Sequence, residues 1–193
     1  MSEQIQEQWD EELEGVKDFW GGTIADVKEE KNLVPPARDI PMTITETKLY
    51  STYDDGSVRN WKQILVKFRL DQGIEVDNVT KYKGMLLTQM MPYFAQPTNY
   101  DYTKPFFAKG QFLVPLQQII KSTNIEAPSL IKGGLTDEVM ETVAESLKNK
   151  TILGSVLQTK VTSKNVETGK YEPTGDLQNE VKNFKIIPED MLV

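Results

Sequence analysis

Cationic and aromatic side chains alternate with apolar ones along residues 57–70. A β-strand would place the odd positions on one face, because successive side chains of a strand point to opposite sides. The cations and the ring on that face are Arg59, Trp61, Lys67 and Arg69. Cations neutralise phosphates, and flat rings stack on unpaired bases of every kind. The pattern predicts a surface for single-stranded nucleic acid with low sequence preference; the alternative is an ordinary solvated face with Trp61 half-buried.

Two neighbouring stretches extend the predicted surface. A strand through Lys81, Tyr82 and Lys83 would turn the ring away from the two lysines, and the aromatic loop 92–107 would continue a stacking path. For the loop tyrosines the alternative is packing against the rest of the fold. The full set predicted to bind nucleic acid is Arg59, Trp61, Lys67, Arg69, Lys81, Tyr82, Lys83, Tyr100, Tyr102 and Lys104.

The chain contains no histidine and no cysteine. This composition excludes catalytic triads that depend on histidine, thiol nucleophiles, disulfides and His/Cys zinc sites. Any metal would need oxygen ligands only, which suits Mg²⁺ or Ca²⁺. The carboxylate pairs that lie within two positions of each other and could hold such a metal are Asp54 with Asp55, Glu75 with Asp77, and Glu189 with Asp190. Their spacing is not distinctive, so we predict no catalytic residue, no metal and no cofactor; a Mg²⁺-dependent nuclease is the rival hypothesis.

The elements that must position these residues follow from turn signals and apolar periodicity. Five strand-like stretches are predicted, at 43–53, 57–70, 74–91, 151–162 and 179–187, and two helices follow the third, one starting near Pro115 and one capped by Thr136. Asp-Gly at 55–56 is a typical hairpin turn. The order predicts a mainly β protein, a five-stranded OB-like barrel with a helical insertion between strands 3 and 4. Such barrels bind ligands on strands 2 and 3.

The N-terminal segment differs in charge from the rest of the chain. Residues 1–30 hold ten acidic side chains and two lysines, a charge of −8, whereas the other 163 residues sum to +1. Apolar side chains recur there at helical spacing, namely Ile5, Trp9, Leu13, Val16 and Trp20, and prolines at 35, 36 and 41 then favour an extended linker. We therefore predict an acidic helical arm with its linker at 1–41 and the OB-like domain at 42–193.

Part of the chain, 104–187, resembles small phage single-stranded DNA-binding proteins of the OB type. The residues that carry the resemblance are Phe106-Phe107-Ala108, 113–120, 147–151 with Gly154, and 179–184. The resemblance implies single-stranded DNA as partner, a role in phage replication or recombination, and no catalytic residues. Those proteins often end in an acidic recruiting tail, whereas the acidic segment here is N-terminal. We expect this arm to recruit replication or recombination proteins, or to cover the basic groove; a merely solubilising helix is the alternative.

A structural or assembly protein is the hypothesis from another class. In that case the apolar stripe of the arm and the aromatic loop would make protein contacts, and a homo-oligomer is left open by either interpretation. The sequence has no apolar run of membrane-spanning length and no secretory leader. We therefore expect no membrane partner and a cytoplasmic location, in the host if the protein is phage-encoded.

Overall fold

The computed structural model describes residues 33–166 and 168–191; the predicted acidic arm lies outside them. Seven strands are β1 (Ala37–Thr52), β2 (Val58–Leu70), β3 (Ile74–Val76), β4 (Val79–Lys81), β5 (Leu86–Ala95), β6 (Thr151–Lys164) and β7 (Tyr171–Lys185). The helices are α1 (Pro105–Ala108), α2 (Val114–Ser122) and α3 (Asp137–Leu147), with 3₁₀ turns at Gln111–Leu113 and Glu189–Met191. No helix in this part of the chain is long and apolar enough to cross a bilayer.

Five strands form one antiparallel sheet in the order β5-β2-β1-β6-β7, so the mainly β prediction is confirmed. The sheet is open: within the described residues no ladder joins β5 to β7, and the predicted closed barrel is not formed. A side chain links the two edges instead, because Val181 N donates to Gln89 Oε1 at 3.1 Å. Helices separate the third and fourth strands of this sheet, as expected.

The β1–β2 hairpin has the predicted turn and the predicted alternation. Asp55 Oδ1 accepts from the backbone N and Oγ of Ser57 at 2.9 and 2.6 Å, and these bonds lower the pKa of Asp55. Gly56 has φ +83°, which glycine adopts without steric cost. The even positions in the second half of β2 are fully buried, namely Ile64, Val66, Phe68 and Leu70. The odd positions therefore lie on the outer face of the sheet.

The stretch 74–91, expected as one long third strand with an interruption near Asp77 and Asn78 left open, forms three separate strands. β3 and β4 form a small separate hairpin, and β5 begins only at Leu86. Asp77 and Asn78 both have positive φ, which a two-residue hairpin turn requires. Tyr82 also lies in the left-handed region, at φ +66°. Lys81, Tyr82 and Lys83 consequently do not extend the sheet strand that pairs with β2.

Helices α2 and α3 cover the inner face of the sheet and complete the core. Thr47 Oγ1 of β1 donates to the carbonyl of Ala144 in α3 at 3.0 Å, and α2 contacts β5 and β7. The Thr136 hydroxyl accepts from Val139 N at 3.3 Å, so the predicted N-cap of α3 is confirmed. Pro115 lies in the first turn of α2, where a missing N–H costs no helical bond.

Strands β1, β6 and β7 are all longer than the sequence suggested. β1 begins at Ala37, inside the expected linker, and includes Pro41. The Pro41 carbonyl accepts from Asp71 N at 3.1 Å, so its missing N–H faces the end of β2, where no ladder bond is required. The outer halves of β6 and β7 pair only with each other, which tolerates Pro173 in the exposed part of β7.

Candidate nucleic-acid interface

A stack of cations and rings lies on the outer face beside the β1–β2 turn. The Arg59 guanidinium carbon is 4.3 Å from the ring centroid of Tyr53 and 5.7 Å from that of Tyr50. Arg59 Nε donates to the Thr52 carbonyl at 2.8 Å, which fixes the side chain between the rings. Lys48 Nζ is 5.1 Å from the Tyr50 centroid. We call Lys48, Tyr50, Tyr53 and Arg59 the hairpin stack.

Only Arg59 of this stack belongs to the sequence prediction. Lys48 lies opposite Leu65, and Tyr50 lies opposite Gln63, so both share the outer face with the odd positions of β2. The alternation of β1 contains this signal, but it becomes readable only when the register with β2 is known. Tyr53 is 50% exposed.

Three other predicted cations are held by carboxylates. Lys67 Nζ is 2.6 Å from Glu46 Oε2, and Arg69 Nη2 is 3.2 Å from Asp71 Oδ1. Lys104 Nζ is 3.9 Å from Asp101 Oδ2. Hydrogen bonds from the Thr103 side chain and backbone lower the pKa of Asp101, so this carboxylate stays charged. Among residues 33–166 and 168–191, Arg59 has no such carboxylate partner.

Trp61, two residues after Arg59 on the same face of β2, lies beneath the loop that follows β5. Its ring centroid is 5.4 Å from that of Tyr100 and 5.6 Å from that of Phe112. Tyr102 packs on Phe107 with centroids 5.6 Å apart. We call Trp61, Tyr100, Tyr102, Phe106, Phe107 and Phe112 the outer aromatic cluster.

The outer aromatic cluster is a small second core on the outer face of the sheet. Phe112 and the adjacent Leu113 and Ala95 are buried, and Trp61 is partly buried against them. The Tyr102 hydroxyl donates to the Ala95 carbonyl at 2.9 Å. Burial raises the pKa of both Tyr100 and Tyr102. Trp61 and these tyrosines therefore pack on one another, which is the alternative that the sequence left open.

The remaining predicted residues lie near the far end of β2. Arg69 and Lys83 line a surface cavity of about 670 Å³ together with Asp71 and Thr151. Tyr82 is partly buried against the main core. Trp61 and Arg69 are eight residues apart on one strand, a separation of roughly 27 Å. The predicted residues therefore form one group around Trp61 and another around Arg69, and Lys67 lies on β2 between them.

A polar contact that the sequence did not reveal joins the sheet to α3. Asp137 accepts a hydrogen bond from the Tyr93 hydroxyl at 2.9 Å and lies 2.7 Å from Lys62 Nζ. Burial, and then the hydrogen bond to Asp137, raise the pKa of Tyr93. The contact is on the inner side of the sheet, and its geometry is that of a structural clamp.

The carboxylate pairs named from sequence stay apart from one another. Asp55 belongs to the β1–β2 turn, Glu75 and Asp77 belong to the β3–β4 hairpin, and Glu189 lies in the final 3₁₀ turn. Across the described ranges no three acidic side chains are grouped as metal ligands would be.

Comparisons with protein families, with curated proteins and with solved structures find no match to this chain.

Proposed function

We propose that this protein binds single-stranded DNA with low sequence preference, through the outer face of the β1–β2 hairpin. The observation that carries the proposal is the hairpin stack, in which Arg59 lies between two tyrosine rings without a carboxylate partner in the described residues. A guanidinium with free N–H groups suits a phosphate, and an adjacent exposed ring suits a base. Because every base has a ring face, such a site selects single strands and not a sequence.

The other predicted cations have a different role in this proposal. Lys67 and Arg69 lie along the same outer face and are exposed enough to exchange Glu46 and Asp71 for phosphates. Such an exchange gains little energy in water, so these residues guide the strand more than they hold it. Trp61, Tyr100 and Tyr102 support the face from the outer aromatic cluster. Lys81, Tyr82, Lys83 and Lys104 are peripheral.

The proposal includes an OB-like architecture. The strand order β5-β2-β1-β6-β7, with helices after the third strand and the Gln89–Val181 contact between the two edges, is compatible with an OB barrel that is open between β5 and β7. In that architecture the ligand face and the flanking loops coincide with the outer face of β2 and the β1–β2 turn. A role in phage replication or recombination, in the host cytoplasm, belongs to the same proposal, as does recruitment of partners by the acidic arm.

The test is fluorescence anisotropy of a labelled dT oligonucleotide of about 16 nucleotides with the full-length protein. Binding is expected at low salt and should weaken steeply as salt rises to about 200 mM. Loss of one stacked base costs about 1–3 kcal/mol, so Tyr53→Ala should weaken binding by roughly 5- to 150-fold. Arg59→Ala should also weaken it and should reduce the salt dependence.

Tyr171→Ala is the matched control, because Tyr171 is 73% exposed and lies outside the hairpin stack. Its affinity should stay within about twofold of the unchanged protein. The proposal fails if the full-length protein does not bind the oligonucleotide at low salt. It also fails if Tyr53→Ala and Tyr171→Ala weaken binding equally. A stable homo-oligomer that ignores DNA would instead favour a structural or assembly role.

A further inference from the structure

An open groove runs along the exposed side of α2, and no residue of the hairpin stack lines it. Two cavities of about 590 and 200 Å³ share Leu113 and Gln117 on the helix side and Leu130 on the other side. The second wall of the groove is the segment 127–134. The larger cavity also reaches Phe107 and Phe112, so it lies behind the outer aromatic cluster. We call this feature the α2 groove.

Large apolar side chains on the second wall are exposed to solvent. Leu130 is 54% exposed and Ile131 is 51% exposed. Single exposed apolar residues are ordinary, but adjacent ones beside a concave apolar surface mark an interaction site. The smaller cavity is lined mainly by the apolar parts of α2 and of Ala127, Pro128 and Leu130.

The second wall is held in place by the sheet. The carbonyl of Gly133 accepts from Ala95 N at 2.8 Å, and Leu135 N donates to the carbonyl of Tyr93 at 2.9 Å. Gly134 lies so close to β5 that an added Cβ would be 2.1 Å from the Tyr93 oxygen. The groove is therefore formed before any partner arrives, which lowers the entropic cost of binding.

The charged side chains that line the α2 groove are all lysines. Lys109 and Lys132 line the larger cavity, and Lys121 lines the smaller one. Within the described residues no carboxylate lines either cavity, and none of the three lysines forms an ion pair. An occupant that carries acidic side chains beside its apolar ones would complement both properties.

We propose that the α2 groove docks a short amphipathic segment of a partner protein, with apolar side chains on one face and Asp or Glu around them. Leu130, Ile131 and Leu113 contact the apolar face, and the lysines contact the carboxylates. The nine residues of α2 span about 14 Å, which fits two to three turns of a bound helix. A nucleic acid fits less well, because the exposed groups are aliphatic and Phe107 and Phe112 already pack in the outer aromatic cluster.

The experiment titrates full-length protein into a fluorescein-labelled synthetic peptide of about 14 residues, with Leu at every third or fourth position and Glu elsewhere. Saturable binding is expected. Leu130→Asp should weaken it about tenfold or more, since it places a charge in the apolar contact. Val79→Asp is the control, because Val79 is 53% exposed and lies on β4, outside the groove; its effect should stay below about twofold.

Charge is tested separately with the double variant Lys121→Glu and Lys132→Glu. It should weaken peptide binding about tenfold, whereas a peptide with Lys in place of Glu should not bind the unchanged protein. The dT oligonucleotide should neither displace the peptide nor respond to these variants. This competition experiment distinguishes the α2 groove from the nucleic-acid site, so the peptide-docking proposal and the DNA-binding proposal can fail independently.

Four results would overturn the inference. They are the absence of saturable peptide binding, equal losses from Leu130→Asp and Val79→Asp, equal binding of the acidic and basic peptides, and displacement of the peptide by the oligonucleotide. A solution mass that shows a dimer abolished by Leu130→Asp would also overturn it, because the occupant would then be a second copy of this chain.

Discussion

The outer aromatic cluster should stabilise the fold more than it binds a ligand, and Trp61→Ala tests this directly. Trp61 contacts the rings of Tyr100, Phe107 and Phe112, whose centroids lie 5.4, 6.3 and 5.6 Å away. Removing the indole would leave a cavity between β2 and the loop that covers it. We expect lower stability and a loosened loop 96–113.

The size of the effect follows from burial. A tryptophan side chain covers about 150–250 Å² when it is fully buried. Trp61 is partly buried, so roughly half of that area, at about 25 cal/mol per Å², gives about 2–3 kcal/mol. Lost ring pairing adds about 0.5–1.5 kcal/mol. The expected decrease in the free energy of unfolding is about 2.5–4.5 kcal/mol, or roughly 5–18 °C in Tm.

The assay is urea unfolding of the full-length protein, followed by far-UV circular dichroism because the chain has three tryptophans. Trp61→Phe, which keeps a ring in the cluster, should recover more than half of the loss. Tyr53→Ala removes only an exposed cation–π contact and should cost about 1 kcal/mol or less. A loss below about 0.5 kcal/mol for Trp61→Ala would refute the packing argument. So would a Trp61→Phe protein of normal stability that binds the dT oligonucleotide as weakly as Tyr53→Ala.

Three further predictions concern the framework around these sites. Gly134→Ala should lower the free energy of unfolding by more than about 3 kcal/mol in urea titrations, because the new Cβ would overlap the Tyr93 carbonyl at a residue with φ +131°. The pKa of Tyr93 is raised in the folded protein, so above pH 10.0 the Tyr93 hydroxyl loses its proton more readily in the unfolded chain, and the free energy of unfolding falls as the pH rises. Tyr93→Phe should therefore flatten the decline in Tm between about pH 9 and 11. An unchanged slope would exclude Tyr93 as the cause of the decline. Asn179→Ala should lower the free energy of unfolding by about 1–3 kcal/mol, measured by circular dichroism. The Asn179 side chain accepts a hydrogen bond from the N–H of buried Val34 at 2.9 Å and donates one to its carbonyl at 2.7 Å. An unchanged stability would mean that water replaces the side-chain amide.

Features that depend on interactions between neighbouring residues were predictable from the sequence. The alternation of β2, the Asp-Gly turn, the position of Pro115 and the Thr136 cap were all expected from neighbouring residues and are confirmed. The separate β3–β4 hairpin within 74–91 was not predicted, because Asp77 and Asn78 form their turn between two runs of only three residues. Such short pieces give too few positions for a strand period to separate them.

The candidate site depended on information that the sequence does not carry locally. Tyr50 was missed because its place beside Arg59 follows from the β1–β2 register. Trp61 was expected to be available for stacking, whereas a loop about 40 residues later in the chain covers it. An alternating pattern states which side of a strand a residue faces, but it does not state what else folds over that side.

Composition and short-range periodicity were enough to predict which side chains are available for chemistry and the type of most elements. The absence of histidine and cysteine excluded sites that depend on them. Which rings are covered, which cations meet carboxylates, and the separation of β5 and β7 as two edges became known from the three-dimensional fold. Those outcomes depend on contacts between residues far apart in the chain, whose free energies are set by packing and register and not by any local pattern.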